Sequence, residues 1–432
     1  MKKAIIFAAL MLAFACPLFL HAESDDVHNT IDEKLLNLRF GTAVERIQIM
    51  AYFGALRDKE VVAQRAIVPL IIKILKDGND DARVREAAAE AIGELVRNRV
   101  IVDYGICQDV NGPVCDAKEN ILVRAACIRL LGVFMRIWPG EARNELFKKS
   151  MRDLLDQTNA PNASSQNAIL VAVIETLCKL GDSSAESAIK MALARPDLID
   201  AAVESLWNLF QAGGKITDVN VCIRLLDAVT NTEVATTTRI KAGECLCFLV
   251  RSGIGTTYSL DKVIALLNNP ATDAQLIPIA CKILFTINNT ASFLPIVNRL
   301  SDDKLSEETR EKMISILADF IGDLTPDENS IKAVNVALSN FSVIITKKNP
   351  ATQGENLYSV KLRWVAAFAT GQVKPGFNRR GAFSILRAAL EDSDESVRKC
   401  AHGGLMNVTK QDFGYNPEAW SKWYEKNPGI LN

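Results

Sequence analysis

Few residues of this chain have the type and spacing that chemistry needs. The three histidines are His21, His28 and His402, and none belongs to an HExxH pattern. The cysteines form no paired CxxC, so zinc-ligand spacing is absent. Cys245 and Cys247 stand two apart in a helical pattern, point to different sides and cannot share an ion. No glycine-rich phosphate loop follows a strand-like run, and GxSxG does not occur. Carboxylates are plentiful but fall at solvated helical positions beside Lys or Arg. These patterns predict no catalytic residue, no metal and no cofactor, and therefore a chain that is not an enzyme.

Two groups keep chemical interest. The first depends on where the chain travels. It opens MKK, continues AIIFAALMLAFACPLFL and exits at HAES. That is the basic, apolar and small-residue order of a secretory signal, with cleavage expected near Ala22. A membrane anchor is the competing reading, and Cys16 raises lipidation, although Pro17, Leu18, Phe19 and Leu20 extend the apolar run past it. In an oxidising compartment, Cys107 and Cys115 flank QDVNGPV, a polar Gly-Pro stretch, and are disulfide candidates within a loop insertion at 101–119. Seven other cysteines (127, 178, 222, 245, 247, 281 and 400) lie in apolar helical patterns and read as small core residues.

The second group is GYNPEAWSKWYEKN, residues 414–427. Asn416 can cap a helix and Pro417 fits its first position. Tyr415 and Trp420 then hold the two positions of a hydrophobic staple. Trp420, Trp423 and Tyr424 share one helical face. They can seal the exposed end of a stack, or they can form a carbohydrate-stacking platform.

The elements that position these residues follow from composition and periodicity. Aromatics are 6% of 432 residues against 49% hydrophobic residues in all, so the core must be aliphatic, which suits helices. Fifty basic side chains balance 51 acidic ones, which gives no electrostatic reason to expect nucleic acid. One pattern recurs: VREAAAEAIGEL (84–95), VRAACIRLLGVF (123–134), TRIKAGECLCFL (238–249), TREKMISILADF (309–320) and VRKCAHGGLMNV (397–408). After each basic residue, apolar or small residues follow at helical spacing. Weaker copies begin near Glu45, Ile169, Leu198, Leu276 and Val360. Runs such as AIVPLIIKIL (66–75) and FSILRAAL (383–390) precede several copies. The period near forty predicts helix pairs stacked side by side.

The stretch AIVPLIIKILKDGNDDARVREAAAEAIGEL resembles a HEAT repeat of the phycobilisome-lyase HEAT-like subgroup, through Pro69, Asp81, Val84-Arg85 and Ala91-Ile92-Gly93. LRAALEDSDESVRKCAHGGL resembles it again, and the aromatic tail is similar to that closing many exported bacterial HEAT-repeat proteins. The resemblance implies an all-α, armadillo-like solenoid of about ten helix pairs and macromolecular binding without one shared activity. It also implies that Arg85, Arg124, Arg239, Arg310 and Arg398 pair with turn Asp residues of the same or a neighbouring repeat. Asp81 and Asp394 are the expected acceptors of their own units.

The resulting domain scheme is a signal at 1–22, a flexible tail at 23–30, the solenoid at 31–412 and an aromatic capping helix and tail at 413–432. The expected role is an exported scaffold that binds another protein, with cell-wall glycan or peptidoglycan as the alternative ligand.

Overall fold

The computed structural model describes residues 24–64, 66–101, 103–158, 166–254, 261–287, 292–350, 352 and 355–431. The signal segment, with Cys16, His21 and Ala22, lies outside them. The described residues form 22 α-helices, and their one extended pairing is an isolated bridge between Lys348 and Asn356. The fold is an all-α solenoid.

Two compact units divide at Leu180 and Gly181. The first holds α1 (Ser24–Phe40), α2 (Ala43–Gly54), α3 (Lys59–Gln64), α4 (Ile67–Lys76), α5 (Ala82–Arg97), α6 (Cys107–Cys115), α7 (Ile121–Ile137), α8 (Asn144–Thr158) and α9 (Asn167–Lys179). The second begins with α10 (Glu186–Leu193), α11 (Ile199–Gln211), α12 (Val219–Thr230), α13 (Thr236–Arg251), α14 (Asp261–Asn268) and α15 (Ile277–Thr286). It continues through α16 (Phe293–Leu300), α17 (Glu307–Asp323), α18 (Glu328–Thr346), α19 (Val360–Thr370), α20 (Arg379–Ala389), α21 (Glu395–Thr409) and α22 (Pro417–Lys426).

Within each unit the second helices of successive pairs form one layer. In the first unit α2 packs on α5, α5 on α7 and α7 on α9. In the second, α11, α13, α15, α17, α19 and α21 pack in succession, while α10, α12, α14, α16, α18 and α20 form the other layer. The two layers of each unit meet over a mainly aliphatic core. It includes Phe53, Ile71, Leu75, Ile92 and Leu131 in the first unit, and Leu206, Leu225, Phe320, Phe341 and Leu386 in the second.

Six of the second helices start where the turn supplies an acceptor for orphan backbone donors. Thr42 makes a reciprocal capping box with Glu45. Asp81 accepts from the Arg83 amide, Asn120 from Leu122, Ser306 from Thr309, Ser359 from Leu362, and Asp394 from Ser396 and Val397. The weaker copies near 45, 169, 198, 276 and 360 all fall within or next to second helices α2, α9, α11, α15 and α19.

Two expectations are corrected. Residues 24–30, read as a flexible tail, are the first turns of α1. Residues 101–119, read as a loop insertion, contain a 3-10 turn at Tyr104–Ile106 followed by α6. Helix α6 survives Pro113 because the proline sits in its last turn, where only one backbone bond is lost. Its buried residues Cys107, Val110 and Val114 recur at helical spacing and pack it on α7.

Candidate functional site

The basic residue in the first turns of five second helices is a buried structural element. Arg85, Arg124, Arg239 and Arg310 are nearly inaccessible, as is Arg363. Each stands four residues after its cap residue, at the fourth helical position. There the side chain reaches back to the preceding helix. Arg85 Nε donates to the Leu75 carbonyl at 2.9 Å, Arg239 Nε to Val229 at 2.8 Å, and Arg124 Nε and Nη2 to Val114 at 3.2 and 3.1 Å. All three acceptors are the penultimate residues of first helices, α4, α12 and α6. A helix end leaves such carbonyls unpaired and carries partial negative charge, so a guanidinium there satisfies both. Arg310 Nη2 likewise donates to the Asp302 carbonyl at 2.8 Å, and Arg398 Nη1 to those of Asp392 and Ser393.

Some of these arginines also hold the following repeat. Arg85 meets the Glu119 carboxylate through two nitrogens at 2.8 and 2.5 Å, Arg363 meets Asp392, and Arg46 meets Asp80. The assignment of Asp81 and Asp394 as acceptors for Arg85 and Arg398 is therefore corrected. Both carboxylates cap their helices instead, and the Asp81 side chain pairs with Arg83. The bonds from Arg83 hold the Asp81 carboxyl down at about 2, and the Ser396 hydroxyl lowers that of Asp394. Arg46 and Arg363 were absent from the sequence-derived set, although Glu45-Arg46 and Leu362-Arg363 stand in the same register as Val84-Arg85.

The candidate disulfide does not form in this arrangement. Cys107 is buried at the start of α6 and Cys115 exposed at its end, both as free thiols. Eight residues of helix separate their backbones by about 12 Å, beyond the reach of about 7 Å for a disulfide. Burial pushes the Cys107 thiol up to about 12, and Cys127 to about 12 as well.

The terminal aromatics divide between burial and exposure. Asn416 caps α22 by accepting from the Glu418 and Ala419 amides, and Pro417 opens it. Trp420 is fully buried, and its Nε1 donates to the Gly414 carbonyl at 2.8 Å. Its ring meets Phe413 edge-on at 5.0 Å and Phe383 of α20 at 6.4 Å. Trp423 and Tyr424 lie against the same Phe383, and Tyr424 stacks on it at 5.0 Å. Tyr415 lies 4.9 Å from the His402 imidazole and stays half exposed. His402 in turn bonds Asp412 at 2.8 Å.

Exposed apolar side chains lie on both layers, with Phe40 of α1 the most open, and those on the second helices include paired rings. Trp364 and Phe368, four apart on α19, stack with their planes within 5° and are 39% and 41% exposed. Met406 on the neighbouring α21 is equally open. On α13, Phe248 is exposed on one side and stacks on Phe210 of α11 at 4.3 Å. In a chain so poor in aromatics, open rings on this layer are the sites most able to hold a macromolecule.

Among the described residues, no group of three or more His, Cys, Asp and Glu is placed to hold a metal ion, and no helix is long and apolar enough to cross a membrane.

Residues 67–99, spanning α4 and α5, match the family model described as HEAT repeat. No curated protein matches. Among solved structures, an engineered protein is similar at 14% identity, covering 88% of this chain and 99% of its own, with a TM-score of 0.53. The karyopherin Kap121p bound to Pho4p is similar at 12% identity and a TM-score of 0.47. The match covers 96% of this chain, which spans only 50% of the karyopherin. The HEAT match identifies one such repeat over α4 and α5, and the fold around it is an all-α solenoid.

Proposed function

We propose that this chain is an exported, non-enzymatic scaffold that binds another protein across the outer faces of its second helices. The observation that carries the reading is the open Trp364–Phe368 stack on α19. Both rings remain open, at 39% and 41% exposure, and a partner that covers them removes that apolar surface from water. HEAT-repeat solenoids offer extended preformed surfaces, and binding on such a surface avoids the cost of ordering it. Within the HEAT class, Pro69, Asp81 and Val84-Arg85 favour the phycobilisome-lyase-like subgroup, for its fold rather than any lyase chemistry. The basic start, apolar run and Ala22 exit support export with a mature chain beginning near Glu23.

Intact-mass measurement of the envelope or secreted fraction tests export, and a retained 1–22 segment overturns it. A lipid-sized increment on a chain starting at Cys16 replaces it with a lipoprotein. For binding, a partner cross-linked in the cell envelope is purified and titrated against the wild-type protein and Trp364→Ala/Phe368→Ala. Loss of affinity with unchanged melting is expected. Equal affinity of the two proteins removes the α19 face from the proposal. Binding of purified cell-wall glycan that is lost in Tyr415→Ala would favour the glycan reading instead.

A further inference from the structure

The first unit carries an open pocket of about 210 Å³ on its layer of second helices, with Arg97, Arg129, Arg136 and Lys179 around a floor that includes Gly132 and Thr176. Arg97 ends α5, Arg136 lies in the last turn of α7 and Lys179 ends α9, while Arg129 stands two turns earlier on α7. The floor is low because α7 and α9 touch there. A Cβ at position 132 would lie 2.5 Å from Thr176 Cγ2, so only glycine permits the approach. Two of the cations are engaged: Arg97 with Glu94 on its own helix, and Arg129 with Glu175 at 3.2 Å. Glu90 faces the same two arginines. Arg136 and Lys179 have no ion-pair partner among the described residues. Both are exposed, so neither is required by the core.

We infer that this pocket binds an extended acidic peptide segment of the partner protein. The inference rests on the reading of the chain as a protein-binding scaffold and adds the chemistry of what is bound. The cations come from three successive second helices, α5, α7 and α9, which stand about 9 Å apart. The row from Arg97 to Lys179 therefore spans about 20 Å, or about six residues of extended chain. One small anion cannot reach all of it, whereas carboxylates at alternate positions of a strand can. Guanidinium forks take carboxylates through two parallel bonds. The intervening Glu90, Glu94 and Glu175 oppose a continuous phosphodiester backbone but leave gaps that spaced carboxylates can use.

The test uses the mature full-length protein and a fluorescein-labelled octapeptide of alternating Glu and Ser, read by fluorescence anisotropy. The expected result is saturable binding that weakens with salt, is absent for the matching Gln-Ser peptide, and falls about tenfold or more in Arg136→Gln/Lys179→Gln. The melting temperature of that variant should match the wild type. Equal affinity of variant and wild type overturns the inference. Competition by inorganic phosphate or oligogalacturonate at lower concentrations than unlabelled peptide also overturns it, in favour of a free anion or an acidic glycan. If a purified envelope partner binds variant and wild type alike, the pocket is wrong and the scaffold reading stands. If the peptide binds and no envelope protein does, the scaffold reading falls alone.

Discussion

Arg363 and Asp392 form a two-point ion pair, both nitrogen–oxygen separations are 2.8 Å, and the side chains keep only 5% and 2% of their exposure. The pair joins α19 to the turn before α21. Asp392 also accepts from the Asn356 amide at 3.3 Å and the Asp394 backbone at 2.9 Å, so its oxygens are well satisfied.

Removing one partner of such a pair leaves a buried charge alone. Asp392→Ala should therefore cost about 3–5 kcal/mol, and Arg363→Met/Asp392→Leu should recover most of it. Urea unfolding measures both. Hydrogen exchange should quicken across residues 360–409 and stay unchanged across 43–97, because a solenoid transmits damage only to neighbours. A loss below about 1 kcal/mol in the single variant would assign the pair to the surface class.

Trp420 closes the second unit by packing α22 on α20. Its truncation to alanine should cost about 3–5 kcal/mol, with faster exchange confined to α20 and α21. Trp420→Phe keeps most of the ring and loses the bond to Gly414, at about 1 kcal/mol. If Trp420→Ala melts like the wild type, the cap is refuted and the tail becomes a ligand surface.

The cysteines should react in order of burial. Cys115 should alkylate within minutes under native conditions, and Cys107, Cys127 and Cys281 only after unfolding. Peptide mapping without reductant should find no link between 107 and 115. Burial raises the Cys107 and Cys127 thiols, each to about 12, and raises Cys245 and Cys281 as well. An unfolded thiol ionises near about 8.5. The stability these groups lend is therefore whole below that pH and declines as pH rises toward 12, because the unfolded chain releases protons that the folded one keeps. In alkaline melts the stability of Cys127→Ala/Cys281→Ala should therefore fall less steeply with pH than that of the wild type, and parallel slopes would overturn the contribution of the thiols.

Gly371 closes α19 against α21. A Cβ there would stand 2.8 Å from the Gly404 Cα, which is backbone and cannot swing away. Gly371→Ala should lose about 1–3 kcal/mol by overpacking, despite the better helix propensity of alanine. Gly403, with open space around its Cβ position, is the control: Gly403→Ala should be neutral or stabilising by thermal melt.

Much of the architecture could be read from the residues, since the opening of six second helices is written locally. A turn acceptor, a β-branched or acidic residue, an arginine and an apolar stripe recur in VREAAAEAIGEL and its copies. Helix α6 escaped because Gly112 and Pro113 speak for a loop, while the signal for a helix was only Cys107, Val110 and Val114. The arginine acceptors escaped for another reason. Leu75, Val114 and Val229 accept through their carbonyls, which every residue possesses, so no side-chain type marks them. Glu119 and Asp392 lie 34 and 29 residues beyond their arginines, a separation that only stacking closes. Exposure was equally invisible: Trp364 and Trp420 look alike in sequence, yet one faces water and the other is sealed.

The reach of Arg46, Arg85 and Arg363 into the following turn sets how this chain can be lengthened or shortened. A segment cut from the start of one first helix to the start of the next, such as 67–106, separates the guanidinium from its carboxylate. A segment cut from just after one carboxylate to just after the next carries an arginine and its acceptor together. Gene duplication within this chain therefore has a natural reading frame at the level of charge, close to the starts of the second helices and offset from those of the first.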